Sequence, residues 1–458
     1  MEVKSRLTPH QQEFFEEITN KIKQNLSRRA TNIPISDRFL SLTGAAGTGK
    51  SYLTAAILDE IDNSMPVGQY DICVTASTHK ALKVMKNMLF YSYDIGVNFS
   101  TIHSFLNMKQ FYDYSTGAER FVVDRAKDKV NIASLLIVDE SSMISNDIFS
   151  LIVEIVKKGY VNTVLFIGDS YQLLPVNQSS LNDVFRLRNQ FKLTQIVRQA
   201  KDSKIIQLAN KIRVCIENEE YEDLREIFDY MPNNDEIELF ESKRAFLADF
   251  CRNVNWYEED KILASFTNNE VDNFNNIIRR KFWSEKGIDK PQFLLPDDVL
   301  KFTRPAFDMD PENQRILFQN GEEVTINKVE LFFDEELEIY YWECLPVGRS
   351  SLSSFRVIDP NSMEKFNEIL NDYAYFARTS NYPQRFEWWD KYFKLRDSFA
   401  DVQYVFASTI HKLQGSTYKT VYFDLASLLN NRNLSKNFIF RLVYVAITRA
   451  KSKVKILY

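Results

Sequence analysis

Eight consecutive residues, Gly44-Ala45-Ala46-Gly47-Thr48-Gly49-Lys50-Ser51, satisfy every fixed position of the phosphate-binding pattern G-x-x-x-x-G-K-[ST]. The glycines let successive backbone N–H groups turn inward around phosphate oxygens. The N-terminus of a following helix adds its positive dipole end. Lys50 is spaced to reach β- and γ-phosphates and Ser51 to hold Mg²⁺, so the stretch predicts ATP and Mg²⁺ as its ligands. Farther along, Asp139-Glu140 closes an apolar run. An acid at such a strand end supports Mg²⁺, usually through water, and a second acid beside it can deprotonate an attacking water. Gln172, within Gly168-Asp169-Ser170-Tyr171-Gln172-Leu173-Leu174-Pro175-Val176, can hydrogen-bond the γ-phosphate or that water; a glutamine in a polar turn is the plainer explanation. Arg198 and Arg449 offer the cations that phosphoryl transfer needs as charge spreads over three equatorial oxygens. Arg449 closes an apolar helical run, where an arginine is by default a solvated cation or a dipole partner.

These residues need elements that hold them at one place. Residues 39–43 read as a strand running into the glycine-rich turn, and residues 51–61 as the helix that follows, which is the context the pattern requires. Residues 71–76, 134–140 and 161–169 are further buried-strand candidates. Near-continuous apolar strands separated by helical segments indicate a parallel sheet covered on both faces, with ligands at the carboxyl ends of the strands. Residues 107–131 break the pattern. They are polar, aromatic and charged, and read as a small insertion with a hairpin turn at Ser115-Thr116-Gly117. A second α/β pattern has strand candidates at 261–266, 402–407, 420–423 and 453–457. Residues 291–399 interrupt it with short strands at 324–326, 329–333 and 337–342, and with an aromatic helical segment at 366–399.

Composition is consistent with a large enzyme. The chain has 458 residues, 45% of them hydrophobic, enough for several cores. No run of about 18 apolar residues suggests a membrane span, and Met1-Glu2-Val3-Lys4 opens no signal peptide. The cysteines, Cys73, Cys215, Cys251 and Cys344, form no C-x-x-C pair, so neither a disulfide framework nor a zinc site is expected and a reducing cytoplasm fits. A net charge of −5 argues against a uniformly basic coat, but a local basic groove is what nucleic acid requires.

Taken in order, Gly44–Ser51, Val138-Asp139-Glu140-Ser141-Ser142-Met143, Gly168–Val176, the stretch Ala407-Ser408-Thr409-Ile410-His411-Lys412-Leu413-Gln414-Gly415-Ser416-Thr417 and residues 443–449 follow the motif order of superfamily 1 helicases. The chain resembles their 5′→3′, RecD-like branch over essentially its whole length. The resemblance implies an α/β fold with two RecA-like parallel-sheet domains. Residues 1–190 would form the first, with a strand-separating pin at about 107–131. Residues 191–290 plus 400–458 would form the second, with an SH3-like and tower insertion at 291–399. It implies ATP-driven translocation on single-stranded DNA and separation of duplex strands, in phage replication or recombination.

Residue by residue, Gln11 resembles the adenine-reading glutamine, with Gln12 beside it leaving the register open by one. Gly44 through Ser51 would cradle the nucleotide, Ser51 and Asp139 would support Mg²⁺, and Glu140 would activate water. Gln172, Arg198 and Arg449 resemble the γ-phosphate sensor and two arginine fingers, so Lys50, Glu140, Gln172, Arg198 and Arg449 form the expected catalytic set. Thr78, His79, Thr101 and His103 match DNA-contacting positions of the first domain, and Thr267, Asn268, Thr409 and His411 those of the second. Hydroxyls, amides and imidazoles there can donate to phosphates without demanding a base sequence, although Ser77-Thr78 and Ser100-Thr101 also read as helix N-caps. Phe121 aligns with the pin-tip aromatic, with a core position as the alternative. Trp388-Trp389 could stack bases or brace the pin, or simply pack. Expected partners are single-stranded and forked DNA, with a single-strand-binding protein or replisome components beside them. A monomer in the cytoplasm, the host's if the source is a phage, is the expected setting. Two other readings stand against this one: a DNA-stimulated ATPase that displaces bound proteins without unwinding, and a P-loop kinase or unrelated NTPase. The last leaves the second α/β unit unexplained.

Overall fold

The computed structural model describes residues 7–28, 32–64, 70–76, 82, 85–86, 97–124, 130–175, 182–195, 203–229, 234–253, 255–308, 315–349, 353–431 and 433–458. Helix α1 (Pro9–Leu26) starts in a capping box. Thr8 accepts the Gln11 N–H while the Gln11 side chain accepts the Thr8 N–H, which satisfies two orphan donors at once. Strand β1 (Phe39–Gly44) is buried at every position and feeds the glycine-rich turn into α2 (Lys50–Ser64). Then come β2 (Ile72–Ala76), β3 (Val97–Thr101), α3 (Ile102–Phe105), the hairpin of β4 (Met108–Asp113) and β5 (Ala118–Val123), β6 (Ala133–Asp139), α4 (Asn146–Lys157), β7 (Val161–Gly168) and β8 (Asn189–Leu193). Six of these strands form one sheet in the order β3-β2-β6-β7-β1-β8, with every pairing parallel. Apolar residues of α1 and α2, such as Ile18, Ile22, Leu53 and Ile57, cover one face. Ile152 and Val156 of α4 pack on the other. Burial on both faces is why these strands read as continuous apolar runs.

The second lobe begins with α5 (Lys204–Asn218), β9 (Ile237–Phe240), β10 (Lys261–Ser265) and α6 (Asn268–Glu285). The chain then leaves for a module of antiparallel strands: β11 (Val299–Phe302), β12 (Ala306–Phe307), β13 (Ile316–Phe318), β14 (Glu323–Asp334), β15 (Ile339–Pro346) and β16 (Phe355–Ile358). Helices α7 (Met363–Thr379) and α8 (Gln384–Asp397) extend from it, and β17 (Val402–Tyr404) closes its main sheet in the order β16-β15-β14-β11-β17. The module has its own core, in which Phe302 and Phe318 stack at 4.5 Å. Its entry is fixed by a buried ion pair, Arg279 to Asp298 at 2.7 Å, with the Trp283 Nε1–H donating to the same carboxylate. The chain returns through β18 (Ala407–Thr409), β19 (Tyr418–Asp424), α9 (Lys436–Thr448) and β20 (Ala450–Leu457). The second parallel sheet runs β18-β10-β19-β20-β9, with α5 and α9 on one face and α6 on the other. Two parallel sheets, each sandwiched by helices, are the mixed α/β architecture of two RecA-like domains.

Two expectations at strand level are corrected. The run 402–407 is not one strand. Val402–Tyr404 pairs antiparallel with β11, whereas Ala407–Thr409 pairs parallel with β10. The cause is Tyr404, whose ring joins the module's core and whose hydroxyl donates to the Phe293 carbonyl at 2.5 Å. Conversely, 324–326 and 329–333 are one strand, β14, with a register shift between Ile326 and Lys328. The bulge resets pairing without ending the strand. Among the described residues no helix is long and apolar enough to cross a membrane.

Candidate functional site

Sheet register alone gathers the motif residues of the first lobe at one edge. Thr43 on β1 lies beside Gly168 on β7, and Ala76 on β2 lies between Asp139 on β6 and Thr101 on β3. The carboxyl ends of these strands are where a doubly covered parallel sheet binds its ligand. The turn after β1 needs glycine at Gly47 and Gly49, whose φ values are 79° and 75°. At Gly44 a Cβ would come within 2.6 Å of the Thr48 hydroxyl and 2.9 Å of the Leu193 carbonyl. Lys50 folds back over this turn, its Nζ donating to the Gly44 and Ala45 carbonyls at 2.5 and 3.0 Å. Thr48 braces the turn by donating to Ala45 O at 2.9 Å.

Gln11 is 3% exposed and its Nε2 donates to the Thr48 carbonyl at 2.9 Å. Gln12 instead bonds Glu16 on the exposed face of α1. Of the two glutamines left open in the sequence, Gln11 is the one bonded to the glycine-rich turn. Asp139 ends β6 partly buried, and burial, reinforced by the neighbouring Glu140 carboxylate, pushes its pKa up to about 7. Lys50 acts in the opposite sense. Glu140 has φ 51°, a left-handed conformation costly for a side chain with a Cβ. It swings the second carboxylate out of the strand line. Gln172 is 5% exposed, and its Oε1 has no hydrogen-bond partner among the described residues, as is also true of the buried hydroxyls of Ser141 and Ser142. These orphaned acceptors and hydroxyls beside the acid pair form a polar lining suited to a bound group.

Arg449 is not the solvated cation that a helix-end arginine is by default. It caps α9 at 5% exposure, and its guanidinium donates to the Val445 and Ser416 carbonyls at 3.3 Å each. Arg198 lies outside the described residues, as do Thr78 and His79.

The sequence reading missed the residues that join the lobes. On α9, Arg441 donates to the carbonyls of Ser170 and Gln172 at 2.7 Å each. One turn on, the Tyr444 hydroxyl accepts the Ala46 N–H at 2.9 Å and donates to Asp169 at 2.7 Å. A polar tip recurring at i and i+3 inside the apolar run 438–447 was the available signal, since such a run buries its polar groups only with partners.

Among the described residues, Thr101, Thr267 and Thr409 of the expected DNA-contacting set lie at or just after the carboxyl ends of β3, β10 and β18. Thr101 is the N-cap of α3 and Thr267 that of α6, each hydroxyl accepting a backbone N–H at 3.2 Å. Asn268 opens α6 exposed. Thr409 is 7% exposed and its register partner is Ser265. His411 follows, against Phe266 and Phe438. Burial holds both His103 and His411 below the ordinary imidazole value. The N-cap explanation is thus present at Thr101 and Thr267.

Phe121 is not core: it is 53% exposed on β5, with its ring 5.3 Å from that of His103. The hairpin carrying it is clamped by α8. Tyr112 stacks on Phe393 at 4.1 Å and donates to Asp397, while Arg396 donates to the Tyr112 hydroxyl at 3.0 Å and to Glu119 at 2.9 Å. Trp389 is buried beneath the hairpin turn, against Gly117.

Residues 28–227 match the family model described as an AAA domain, and residues 404–457 match that of the UvrD-like helicase C-terminal domain. The ATP-dependent DNA helicase dda of Enterobacteria phage T4 is 25% identical over 468 aligned residues, covering 95% of this chain and 98% of that one. Uncharacterized protein R530 of Acanthamoeba polyphaga mimivirus is 24% identical over 481 residues, with 90% and 94% covered. Among solved structures, Pif1 helicase from Candida albicans is similar at a TM-score of 0.46 and 16% identity, with 98% and 94% covered. Motif order, two family matches and relatives aligned nearly end to end agree: the chain belongs to the superfamily 1 helicases, on their RecD-like branch.

Proposed function

We propose that this protein is an ATP-dependent DNA helicase that moves 5′→3′ on single-stranded DNA and separates duplex strands. The observation that carries this reading is the seam: a helix of the second lobe bonds directly to the phosphate-binding turn of the first. A nucleotide bound there would change the relation between the lobes, and its hydrolysis would reverse the change. Lys50 and the amides of the turn hold the phosphates. Ser51 and Asp139 are hard oxygen donors that fit Mg²⁺, a cation that takes few protein ligands and completes its shell with phosphates and water. When bound, the ion would neutralise charge between β- and γ-phosphates. Glu140 takes the proton of the attacking water, while Gln172, Arg198 and Arg449 address the γ-phosphate. DNA contacts Thr101, His103, Thr267, Asn268, Thr409 and His411 near the strand ends, with Thr78 and His79 as further proposed contacts, and Phe121 meets the fork. Domain limits near residues 190, 290 and 400 follow from this assignment. So does action as a cytoplasmic monomer at replication or recombination forks, beside a single-strand-binding protein.

The test is strand displacement on duplexes with a 5′ or a 3′ single-stranded tail. Displacement only from the 5′-tailed substrate, lost with Lys50→Ala, is the expected result. Hydrolysis stimulated by single-stranded DNA with no displacement on either substrate would favour the protein-stripping ATPase, and no stimulation at all would favour an unrelated NTPase. Glu140→Gln is expected to keep ATP affinity and slow turnover by about 100-fold or more, the loss of a general base.

A further inference from the structure

Tyr444 is 1% exposed, and a phenol is placed there only at a cost unless its oxygen and its proton are both used. Both are. The oxygen accepts the Ala46 N–H and the proton goes to Asp169 Oδ2. An amide can only donate and an ionised carboxylate can only accept, so the direction of each bond is fixed. The other oxygen of Asp169 accepts the Tyr171 N–H at 3.0 Å, and Tyr171 in turn meets the Tyr444 ring edge-on at 6.3 Å. A continuous chain of contacts therefore runs from the phosphate-binding turn through Tyr444 and Asp169 to the loop that carries Gln172. Burial and the Asp169 charge both hold the phenol proton in place. Five residues farther along the chain, Arg449 is buried on carbonyls of its own lobe.

We propose that Tyr444 is a positioning residue for ATP hydrolysis. It sets the turn at Ala46 against the Asp169–Gln172 loop and ties that arrangement to the helix ending in Arg449. The inference rests on the nucleotide reading of the turn. The expected phosphate ligands, Lys50, Ser51 and the loop amides other than that of Ala46, which the phenol already takes, are separate groups, so binding should survive the loss of the phenol. Hydrolysis needs Gln172 and Arg449 in one register about the γ-phosphate, and small misplacements of such groups cost up to about 10²-fold in rate.

The test is Tyr444→Phe, which keeps the ring and removes only its oxygen. The expected result is a kcat for ATP lowered about tenfold or more, with KM for ATP and affinity for fluorescent ADP each within about twofold of wild type. Because the phenol acts through Asp169, Tyr444→Phe added to Asp169→Ala should lower kcat no further than Asp169→Ala alone. A kcat within twofold of wild type overturns the proposal. So does an ADP affinity that falls in step with kcat, which a merely structural role would give, or a double variant whose losses multiply. Measuring kcat without and with single-stranded DNA separates the two levels: absent stimulation in wild type removes the helicase reading, while the kcat–KM split in basal hydrolysis still decides for or against Tyr444.

Discussion

His103 and His411 show how one residue's surroundings bear on stability and on the DNA contact proposed for it. Burial disfavours the charged imidazole at each position, so in the proposed DNA contacts both rings would serve as hydrogen-bonding groups rather than as cations. The sign for stability follows. Below the unfolded value of about 6.5 the unfolded chain takes up protons that the folded chain resists, so stability falls with pH there and is unaffected by these groups above it. Replacing both by glutamine is expected to remove part of the acid loss. At pH 5.5 the gain relative to wild type should be at most about 1.4 kcal/mol per histidine, vanishing at pH 7.5. Urea unfolding at the two pH values measures it, and an equal effect at both would mean the rings matter through packing alone. The placement of Lys50, Ser51, Asp139 and Glu140 at strand and helix ends was legible in the sequence because it is written in local spacing beside apolar strands. Tyr444 was not, because its partner Ala46 lies 398 residues away, and the same letters describe a core tyrosine. Which of Gln11 and Gln12 meets the turn was not legible either, because it depends on the face that α1 presents.

At the scale of elements, the hairpin β4–β5 shows what position adds to pattern. Its turn was readable from Ser115-Thr116-Gly117, and β4 ends and β5 begins around that turn. What the sequence could not tell is that α8, more than 260 residues downstream, clamps it: Arg396 reaches Glu119 across a separation of 277 residues. Nor could alternation divide 402–407 between two sheets, since five of the six residues, all but Gln403, are apolar or aromatic and only their partners differ. Gly117 has φ +73°, and a Cβ on it would come within 2.2 Å of the Trp389 ring. Gly117→Ala must therefore strain the turn or lift the hairpin off α8, at a cost of about 1–3 kcal/mol. If the hairpin splits the duplex, the variant should lose most of its strand displacement on forked DNA. Its ATPase stimulated by single-stranded DNA should stay within about twofold of wild type. Phe121→Ala should do the same by removing the exposed ring without disturbing the clamp. Loss of both activities in Gly117→Ala would place the hairpin in the motor itself.

For the whole molecule the question is what makes two lobes one machine. Each has its own parallel sheet and its own core clusters, so each could satisfy its apolar surface alone. The seam adds something different in kind: beside the apolar contact of Tyr171 and Leu173 with the second lobe's core, it carries buried, specific polar bonds. Arg441 is 8% exposed, burial lowers its pKa, and its guanidinium serves two carbonyls of the opposite lobe. Such bonds contribute little to the stability of either lobe, but losing the donor leaves two buried acceptors unsatisfied, each at about 1–3 kcal/mol. Arg441→Ala should therefore act on the coupling and leave the folds intact. Wild type should unfold in a single thermal transition, because opening the seam and melting a lobe occur together. The variant should separate into two transitions, with the midpoint of one lobe nearly unchanged. Donor and acceptor dyes, one on each lobe, should report a broader distance distribution without nucleotide that narrows when ATPγS supplies new contacts at the turn. A single undivided transition with unchanged dye distances would mean that Tyr444 and the apolar contacts hold the lobes by themselves, and that Arg441 is a passenger at the interface.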